Sequence, residues 1–313
     1  MADQPVATTP PGVPSGAPGA GIFTASLAER LSKSEILIVD GAAGTMLIAA
    51  GLPTGTPPDL WNEEQPDQVI KLHQSYVQAG SQIILTNTFG ASRIKLEKSG
   101  LGERTRTLNL AGVILARQAA GERAYVAGDI GPTGELMAPM GRLTFDLAYE
   151  VFSEQASALV EGGVDAIWIE TMTDLEEARA AVSAARHVTD RPVFCSLSFG
   201  RKGRTMMGVS ATQAAETLWP LGLSAIGLNC GEGLEIITDI LAKMRAVLPE
   251  DTPLIAKPNA GLPKLVAGQT VYDVGPAQFA DHIAEFIAAG ARIVGSCCGS
   301  SPEFIAAIAA ASR

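Results

Sequence analysis

Short apolar segments alternate with longer amphipathic segments along most of the chain. Eight of the short segments are rich in β-branched residues and end near a polar residue or a glycine. Such segments are typical of strands buried in a parallel sheet. The predicted strands are Ile36–Asp40, Gln82–Asn87, Tyr125–Asp129, Ala166–Glu170, Val193–Ser198, Ala225–Asn229, Leu254–Lys257 and Arg292–Ser296.

Helical spacing of apolar residues marks the segments between these strands. Several begin with a capping side chain or a first-turn proline, namely Thr144, Thr173, Ser210, Gly275-Pro276 and Ser301-Pro302. The predicted helices are Asp67–Ala79, Thr105–Ala120, Phe145–Glu161, Asp174–Val188, Ala211–Leu218, Leu234–Val247, Pro276–Ala289 and Pro302–Ala311.

Eight strand–helix units require parallel strands joined by right-handed crossovers. That number favours closure into a barrel over an open doubly wound sheet. The first predicted strand is followed by Asp40-Gly-Ala-Ala-Gly-Thr45, which is not the G-x-G-x-x-G pattern of dinucleotide-binding sheets. We therefore predict an α/β fold, a single-domain (β/α)₈ TIM barrel. The proline-rich stretch Gly51–Pro66 is predicted to be a long loop after the first strand.

Residues 1–21 differ from the rest of the chain. They are rich in Pro, Gly, Ala and Thr and lack apolar periodicity, so we predict a disordered tail followed by one barrel domain over residues 22–313.

The overall charge restricts the partners that we expect. With 23 basic and 33 acidic residues, the formal net charge is −10, which disfavours nucleic acid and anionic membranes. Four cysteines and no secretory signal indicate a reducing, cytoplasmic location. Exposed barrel helices often pair, so we expect a homodimer or a larger homo-oligomer.

Three of the four cysteines occupy predicted loops. Cys230 follows the sixth strand, and the adjacent pair Cys297 and Cys298 follows the eighth. Because active sites of such barrels lie at the carboxyl ends of the strands, we expect all three thiols on one rim. Cys195 lies within the fifth predicted strand and is interpreted as a packed core residue.

Three thiol ligands favour Zn²⁺ and leave one coordination position open for a substrate. Such an electron-rich zinc suits the binding of an incoming thiol as its thiolate, because a free thiol is mostly protonated at neutral pH. The alternatives are inert buried cysteines, a vicinal disulfide, or a non-catalytic structural zinc site closed by a fourth protein ligand.

Other polar groups are predicted on the same rim. Asp40 and Glu170 end the first and fourth strands and are suited to bind an ammonium group, although both also fit ordinary turn or helix-start roles. The backbone N–H groups of Gly41-Ala-Ala-Gly44 can form an anion nest for a carboxylate. Together with a thiol-binding zinc, these groups match a thiol amino acid.

Six short motifs resemble the homocysteine S-methyltransferase family, which includes betaine-dependent and S-methylmethionine-dependent enzymes and the homocysteine module of cobalamin-dependent methionine synthase. The resemblance extends from about residue 30 to the C-terminus. The motifs are Asp40-Gly-Ala-Ala-Gly-Thr45, Leu85-Thr-Asn-Thr-Phe-Gly90, Gly128-Asp-Ile-Gly-Pro-Thr-Gly134, Asn229-Cys230, Pro258-Asn-Ala-Gly261 and Gly295-Ser-Cys-Cys-Gly299.

The resemblance implies a zinc-bearing barrel that methylates homocysteine to give methionine. It implies zinc ligation and catalysis by the three loop cysteines, and substrate binding by Asp40, Gly41, Ala42, Glu170 and Asn259. It also implies that Asn259 lies near the metal.

The expected methyl donor is a small onium compound, either betaine-like or S-methylmethionine-like. A methylcorrinoid protein or methylcobalamin acting in trans is the alternative donor. Gly90 and Thr171 stand where animal betaine enzymes have pocket tyrosines, so Trp61, Phe89 and Tyr272 are the alternative aromatic candidates, each with ordinary packing as the competing role.

Overall fold

Eight parallel strands and one antiparallel hairpin make up the sheets of the computed structural model, which describes residues 25–33, 35–266 and 269–312. The predicted tail at residues 1–21 lies outside these described residues. The strands are β1 (Leu37–Ile38), β2 (Ile83–Leu85), β3 (Tyr125–Ile130), β4 (Ala166–Met172), β5 (Val193–Leu197), β6 (Ala225–Cys230), β7 (Leu254–Pro258), β8 (Pro263–Val266), β9 (Gln269–Tyr272) and β10 (Ala291–Val294).

The parallel strands follow the order β1-β10-β7-β6-β5-β4-β3-β2, and the two end strands also meet. Val39 forms a parallel bridge with Ile83. The Asp40 N–H donates to the Ile83 carbonyl at 3.1 Å, and the Gln82 N–H donates to the Ile38 carbonyl at 2.7 Å. These bonds close the sheet, and the predicted TIM barrel is confirmed.

Helices connect successive strands, as the sequence pattern predicts. They are α1 (Leu27–Ser32), α2 (Ala43–Ala49), α3 (Trp61–Glu64), α4 (Pro66–Ala79), α5 (Arg93–Glu97), α6 (Thr105–Ala120), α7 (Phe145–Gly162), α8 (Leu175–Val188), α9 (Ala211–Leu218), α10 (Ile237–Arg245), α11 (Pro276–Ala280), α12 (Ile283–Ala288) and α13 (Pro302–Ala311). Within the described residues, no helix is long and apolar enough to cross a membrane.

Three helix predictions were wrong in detail. The predicted helix Pro276–Ala289 is two helices, because the chain tightens where the His282 N–H donates to the Phe279 carbonyl. Helix α10 is shorter than predicted. Thr173 does not cap α8; the next residue, Asp174, accepts hydrogen bonds from the N–H groups of the first turn.

The stretch Gly51–Pro66 is not a featureless loop. It contains a 3₁₀ turn at Pro58–Leu60 and the one-turn helix α3, and Pro66 opens α4. Asn62 anchors this stretch, since its side-chain amide donates to the carbonyls of Asn87 and Leu108. The high density of prolines in this stretch led to the prediction of a loop. Proline is tolerated in the first turn of a helix, however, and short helices form here.

Side chains alternate between two apolar layers along the strands. One cluster contains alternate strand residues such as Leu37, Ile83, Tyr125 and Trp168, together with Leu27 of α1. The intervening strand residues join a larger cluster with the helices. The first cluster therefore fills the lower barrel interior, near the amino ends of the strands. Because every second side chain of a strand points to the same face, the residues two positions further along each strand enter the upper interior, near the carboxyl ends.

His73 on α4 is a buried polar residue within the helix layer. It is 1% exposed, and neither ring nitrogen has a hydrogen-bond partner among the described residues. Burial lowers the pKa of His73 to about 4, from an ordinary value of 6.5. The folded chain therefore keeps this ring neutral at pH values where the unfolded chain protonates it.

This difference predicts a pH-dependent loss of stability. Above pH 6.5 the ring is neutral in both states, and between 6.5 and 4 only the unfolded state gains the proton, so stability falls as the pH falls. Relative to His73→Leu, the wild-type free energy of unfolding should fall by about 2 kcal/mol between about pH 7.5 and about pH 5. Urea titrations of both proteins measure this, and parallel pH dependences would contradict it.

Candidate active site

Three cysteines meet at the carboxyl end of the barrel. The sulfur of Cys230, at the end of β6, lies 3.0 Å from that of Cys297 and 3.6 Å from that of Cys298, which follow β10. The Cys297 and Cys298 sulfurs are 3.9 Å apart. In the part of the chain that the structure describes, these three residues form the group that could hold a metal ion.

A strained backbone orients the first of these thiols. Cys230 has φ of 55° and Thr171 has φ of 64°, values that are unusual for residues other than glycine. The side chain of Asn229 braces the region: its oxygen accepts from the Thr171 N–H at 2.7 Å and the Ser196 hydroxyl at 2.8 Å. Its amide also donates to the Thr171 hydroxyl. The Asn-Cys motif therefore has a structural role for both residues.

The chemistry of the cluster fits a soft divalent cation. Hydrogen bonds with Cys297 and Cys298 raise the pKa of the Cys230 thiol, because they hold the proton that ionisation would remove, and burial and repulsion from neighbouring thiolates add to this rise. A thiophilic cation would offset that repulsion and is what three converging sulfurs favour. Cys195 differs: it is buried within β5, and burial raises the pKa of its thiol to about 12.

The cysteines form part of the lining of a cavity of about 590 Å³. This volume is within the usual range for small-molecule sites. Four of the five predicted substrate-binding residues also line the cavity, namely Asp40, Gly41, Ala42 and Glu170. The fifth, Asn259, is not among the lining residues, although its amide donates to the Gly231 carbonyl at 3.0 Å and its buried side-chain oxygen has no described donor.

Asp40 has one oxygen satisfied and one available. Its Oδ2 accepts from the Leu85 N–H at 2.8 Å, whereas its buried Oδ1 has no hydrogen-bond partner among the described residues. Burial raises the pKa of Asp40 to about 7, and the positive charge of Lys257 opposes that rise. A ligand ammonium in the cavity would satisfy the free oxygen and favour the ionised carboxylate.

Lys257 is a site residue that the sequence analysis did not identify. Its ammonium lies 3.1 Å from Glu170 Oε2, with 3% of the lysine side chain exposed. Burial raises the pKa of Glu170, and Lys257 opposes that rise. The signal in the sequence is a single charged residue within the otherwise apolar strand β7, since an isolated buried charge requires a partner.

The predicted anion nest is already partly used by the protein. The Ala42 N–H donates to the Ser300 hydroxyl at 3.1 Å, and the Ala42 carbonyl accepts from the Tyr76 hydroxyl. A side chain at Gly41 would lie 2.7 Å from the Ser300 oxygen, so glycine is required there. The Ala42 N–H is therefore not free for a substrate carboxylate.

The aromatic candidates occupy different environments. Phe89 lines the cavity, and the Lys95 ammonium lies 4.3 Å from its ring centre. Trp61 is buried in the main apolar cluster, and the Tyr272 ring packs against the backbone of Gly299. Neither Trp61 nor Tyr272 is among the lining residues. Packing is thus the observed role of Trp61, whereas Tyr272 lies beside the cysteine cluster, where burial, the neighbouring cysteine charges and a hydrogen bond with Cys298 raise the pKa of its hydroxyl group to about 12.

Comparison with known proteins gives a consistent result. The family model described as homocysteine S-methyltransferase matches residues 37–312. Methionine synthases from Mycobacterium tuberculosis and Mycobacterium leprae are each 32% identical, over 93% and 92% of this chain. These matches cover 26% and 25% of the two relatives, so the chain spans about a quarter of their length.

Solved structures agree with the sequence matches. The metallated form of the homocysteine methyltransferase MmuM from Escherichia coli has a TM-score of 0.75 and 26% identity, covering 90% of this chain and 98% of that one. A methyltransferase from Methanosarcina mazei shares the fold, with a TM-score of 0.61 at 12% identity and coverage of 91% and 96% respectively. The chain therefore belongs to the homocysteine S-methyltransferase family.

Proposed function

We propose that this protein transfers a methyl group from a small onium donor to the thiol of homocysteine and thereby forms methionine. In this proposal, Cys230, Cys297 and Cys298 hold a Zn²⁺ ion. The observation that carries the proposal is the convergence of three sulfurs, separated by 3.0 to 3.9 Å, at one wall of a small-molecule cavity. Membership of the homocysteine S-methyltransferase family supports the same activity.

When bound, zinc supplies a Lewis acid that favours the thiolate form of the substrate sulfur at neutral pH. The protein's own residues would orient the rest of the amino acid. The free oxygen of Asp40 is suited to accept from the substrate ammonium, and Glu170, fixed by Lys257, provides a second negative charge nearby. We also propose that Asn259 lies near the metal, because its buried side-chain oxygen has no hydrogen-bond donor among the described residues.

The reaction is a displacement at the methyl carbon. The sulfur–carbon bond forms while the bond between that carbon and the donor nitrogen or sulfur breaks. The electron pair remains with the departing neutral amine or sulfide, and the proton of the homocysteine thiol is released to solvent. Because little further proton transfer is required, alignment of the two substrates is the main contribution of the cavity.

A second donor class has its own support. Similarity to methionine synthases supports a methylcorrinoid as the alternative methyl donor. The apolar character of much of the cavity lining, including Leu85, Phe89 and Leu96, is compatible with a small onium donor. We therefore retain the onium donor as the principal proposal.

A non-catalytic zinc protein is the alternative from another class. It would need a fourth protein ligand to close the site. Among the described residues, the candidate metal cluster contains three side chains, and Cys195 lies inside the core. This arrangement favours a zinc site with one open coordination position over a structural zinc site with four protein ligands.

Removal of one sulfur should separate the metal hypothesis from simple packing. Purified in reducing buffer, the wild-type protein should contain about one zinc per chain. Cys230→Ala should lose most of that zinc, and its turnover should fall at least about a hundredfold. Removing a metal ligand should cost more than removing a residue that only orients a ligand, which typically costs about tenfold to a hundredfold. Cys195→Ala is the matched control and should retain its zinc. Metal analysis of the purified variants distinguishes a zinc ligand from a packing residue. Full activity of Cys230→Ala would refute the role of Cys230 as a zinc ligand.

Asp40→Asn tests the amino-acid end of the site. Loss of a charge-assisted hydrogen bond should raise the KM for homocysteine about tenfold to a hundredfold without altering zinc content. The analogue 4-mercaptobutyrate lacks the amino group, so its kinetics should change little. Steady-state assays with both thiols measure the difference. An equal rise in KM for both thiols would show that Asp40 does not bind the substrate ammonium.

The donor is decided by direct assay. Zinc-loaded enzyme and homocysteine should form methionine with at least one of betaine, S-methylmethionine and dimethylsulfoniopropionate. Methylcobalamin should give no comparable rate, because the proposed donor is a small cation. Methionine formation measured by mass spectrometry reports each reaction, and turnover restricted to methylcobalamin would transfer support to the corrinoid alternative.

A further inference from the structure

The barrel topology divides the cavity into two sides. Cys230 ends β6, and Cys297 and Cys298 follow β10; these two strands flank β7 in the closed sheet. Strand β3 is four positions from β7 in either direction and therefore stands opposite the cysteine wall. The side of the cavity near β3 contains charged residues that the binding of homocysteine, as proposed above, does not use.

Asp129 is the first of these residues. It lies on β3 in the same alternating row as Tyr125 and Ala127, and that row enters the upper barrel interior. The residue is 5% exposed and lines the cavity, yet Oδ1 accepts no hydrogen bond from the described residues. Burial and the nearby charge of Glu170 raise the pKa of Asp129. A cation delivered by a ligand would satisfy this carboxyl group.

Lys95 on α5 is the second. Its half-buried side chain lines the same cavity, and its ammonium lies over the Phe89 ring. None of the ion pairs found within the described residues includes Lys95. Burial lowers the pKa of this lysine. A desolvated ammonium without a carboxylate partner is suited to receive an anion.

Asp59 also lines the cavity, but none of the described ion pairs joins it to Lys95, and its carboxylate has another structural function. Its Oδ1 accepts from the Gly90 N–H at 2.9 Å, and this bond joins the loop after β1 to the loop after β2. Asp129 and Lys95 are likewise not an ion pair with each other. The cavity side opposite the cysteines therefore presents the Asp129 carboxyl group and the Lys95 ammonium, neither of which takes part in a described ion pair.

We propose that Asp129 and Lys95 form the donor subsite and select a zwitterionic onium carboxylate. Asp129 faces the onium group, and Lys95 binds the donor's carboxylate. This inference rests on the proposed methyl transfer and deepens it, because it assigns a carboxylate to the donor and names the residue that recognises it. A donor bound on this side approaches the homocysteine sulfur from opposite the cysteine wall.

Paired donors test the carboxylate contact. Dimethylsulfoniopropionate and ethyldimethylsulfonium share the sulfonium group, and only the first has a carboxylate; betaine and choline form a second pair. In Lys95→Met, the preference in kcat/KM for the carboxylate-bearing donor should fall about tenfold or more. Lys98→Met is the matched control, since Lys98 pairs with Glu135 at 2.7 Å and does not line the cavity.

Asp129→Asn tests the other half of the subsite. It should weaken both members of each donor pair by a similar factor of about ten or more, while the KM for homocysteine stays within about twofold. An unchanged donor preference in Lys95→Met would overturn the carboxylate contact. A larger effect of Asp129→Asn on homocysteine than on the donors would overturn the onium contact.

Calorimetric binding to reduced, metal-free protein separates this inference from the proposed function. Betaine and dimethylsulfoniopropionate should bind the wild type more tightly than choline and ethyldimethylsulfonium, and Lys95→Met should abolish that difference. If this pattern holds but no donor methylates homocysteine, the subsite stands and the proposed reaction fails. If methionine forms from methylcobalamin and neither zwitterion binds, the subsite is refuted.

Discussion

Closure of eight parallel strands around one axis is the constraint on which the rest of this structure depends. In a closed barrel, every second side chain of each strand must enter the interior. At the lower end these positions hold Leu37, Ile83, Trp168 and other apolar residues, which fill the space. At the upper end the same rows deliver Asp129 and Glu170, so the alternation that builds the core also concentrates charge at the site.

Charge burial then determines what the site can bind. Carboxyl groups at the ends of β1, β3 and β4 are removed from water, and Lys257 is the one described lysine that forms an ion pair with any of them. Such groups resist ionisation unless a ligand supplies the opposite charge. A cavity with unsatisfied acidic oxygens and a sulfur cluster is therefore arranged for cationic, sulfur-containing or thiol-reactive small molecules rather than for neutral apolar ones.

The sequence predicted the barrel well because strands, helices and their number follow from local patterns. It predicted the Cys-Cys pair and Cys230 on one rim because all three follow strands that must end together. It missed the helices α1, α2 and α5 and the hairpin of β8 and β9, which lie outside the strand–helix repeat. Short elements of this kind depend on packing more than on periodicity.

The sequence by itself determined the fold class, the family motifs and the residue types at the strand ends. Only the tertiary structure decided which of these groups have partners. Lys257 is paired with Glu170 across the barrel, 87 positions away in the chain, whereas Asp129 and Lys95 are left without ion-pair partners in the described residues. Pairing depends on distances between side chains of different strands and loops, and a linear pattern of residues contains no such distances.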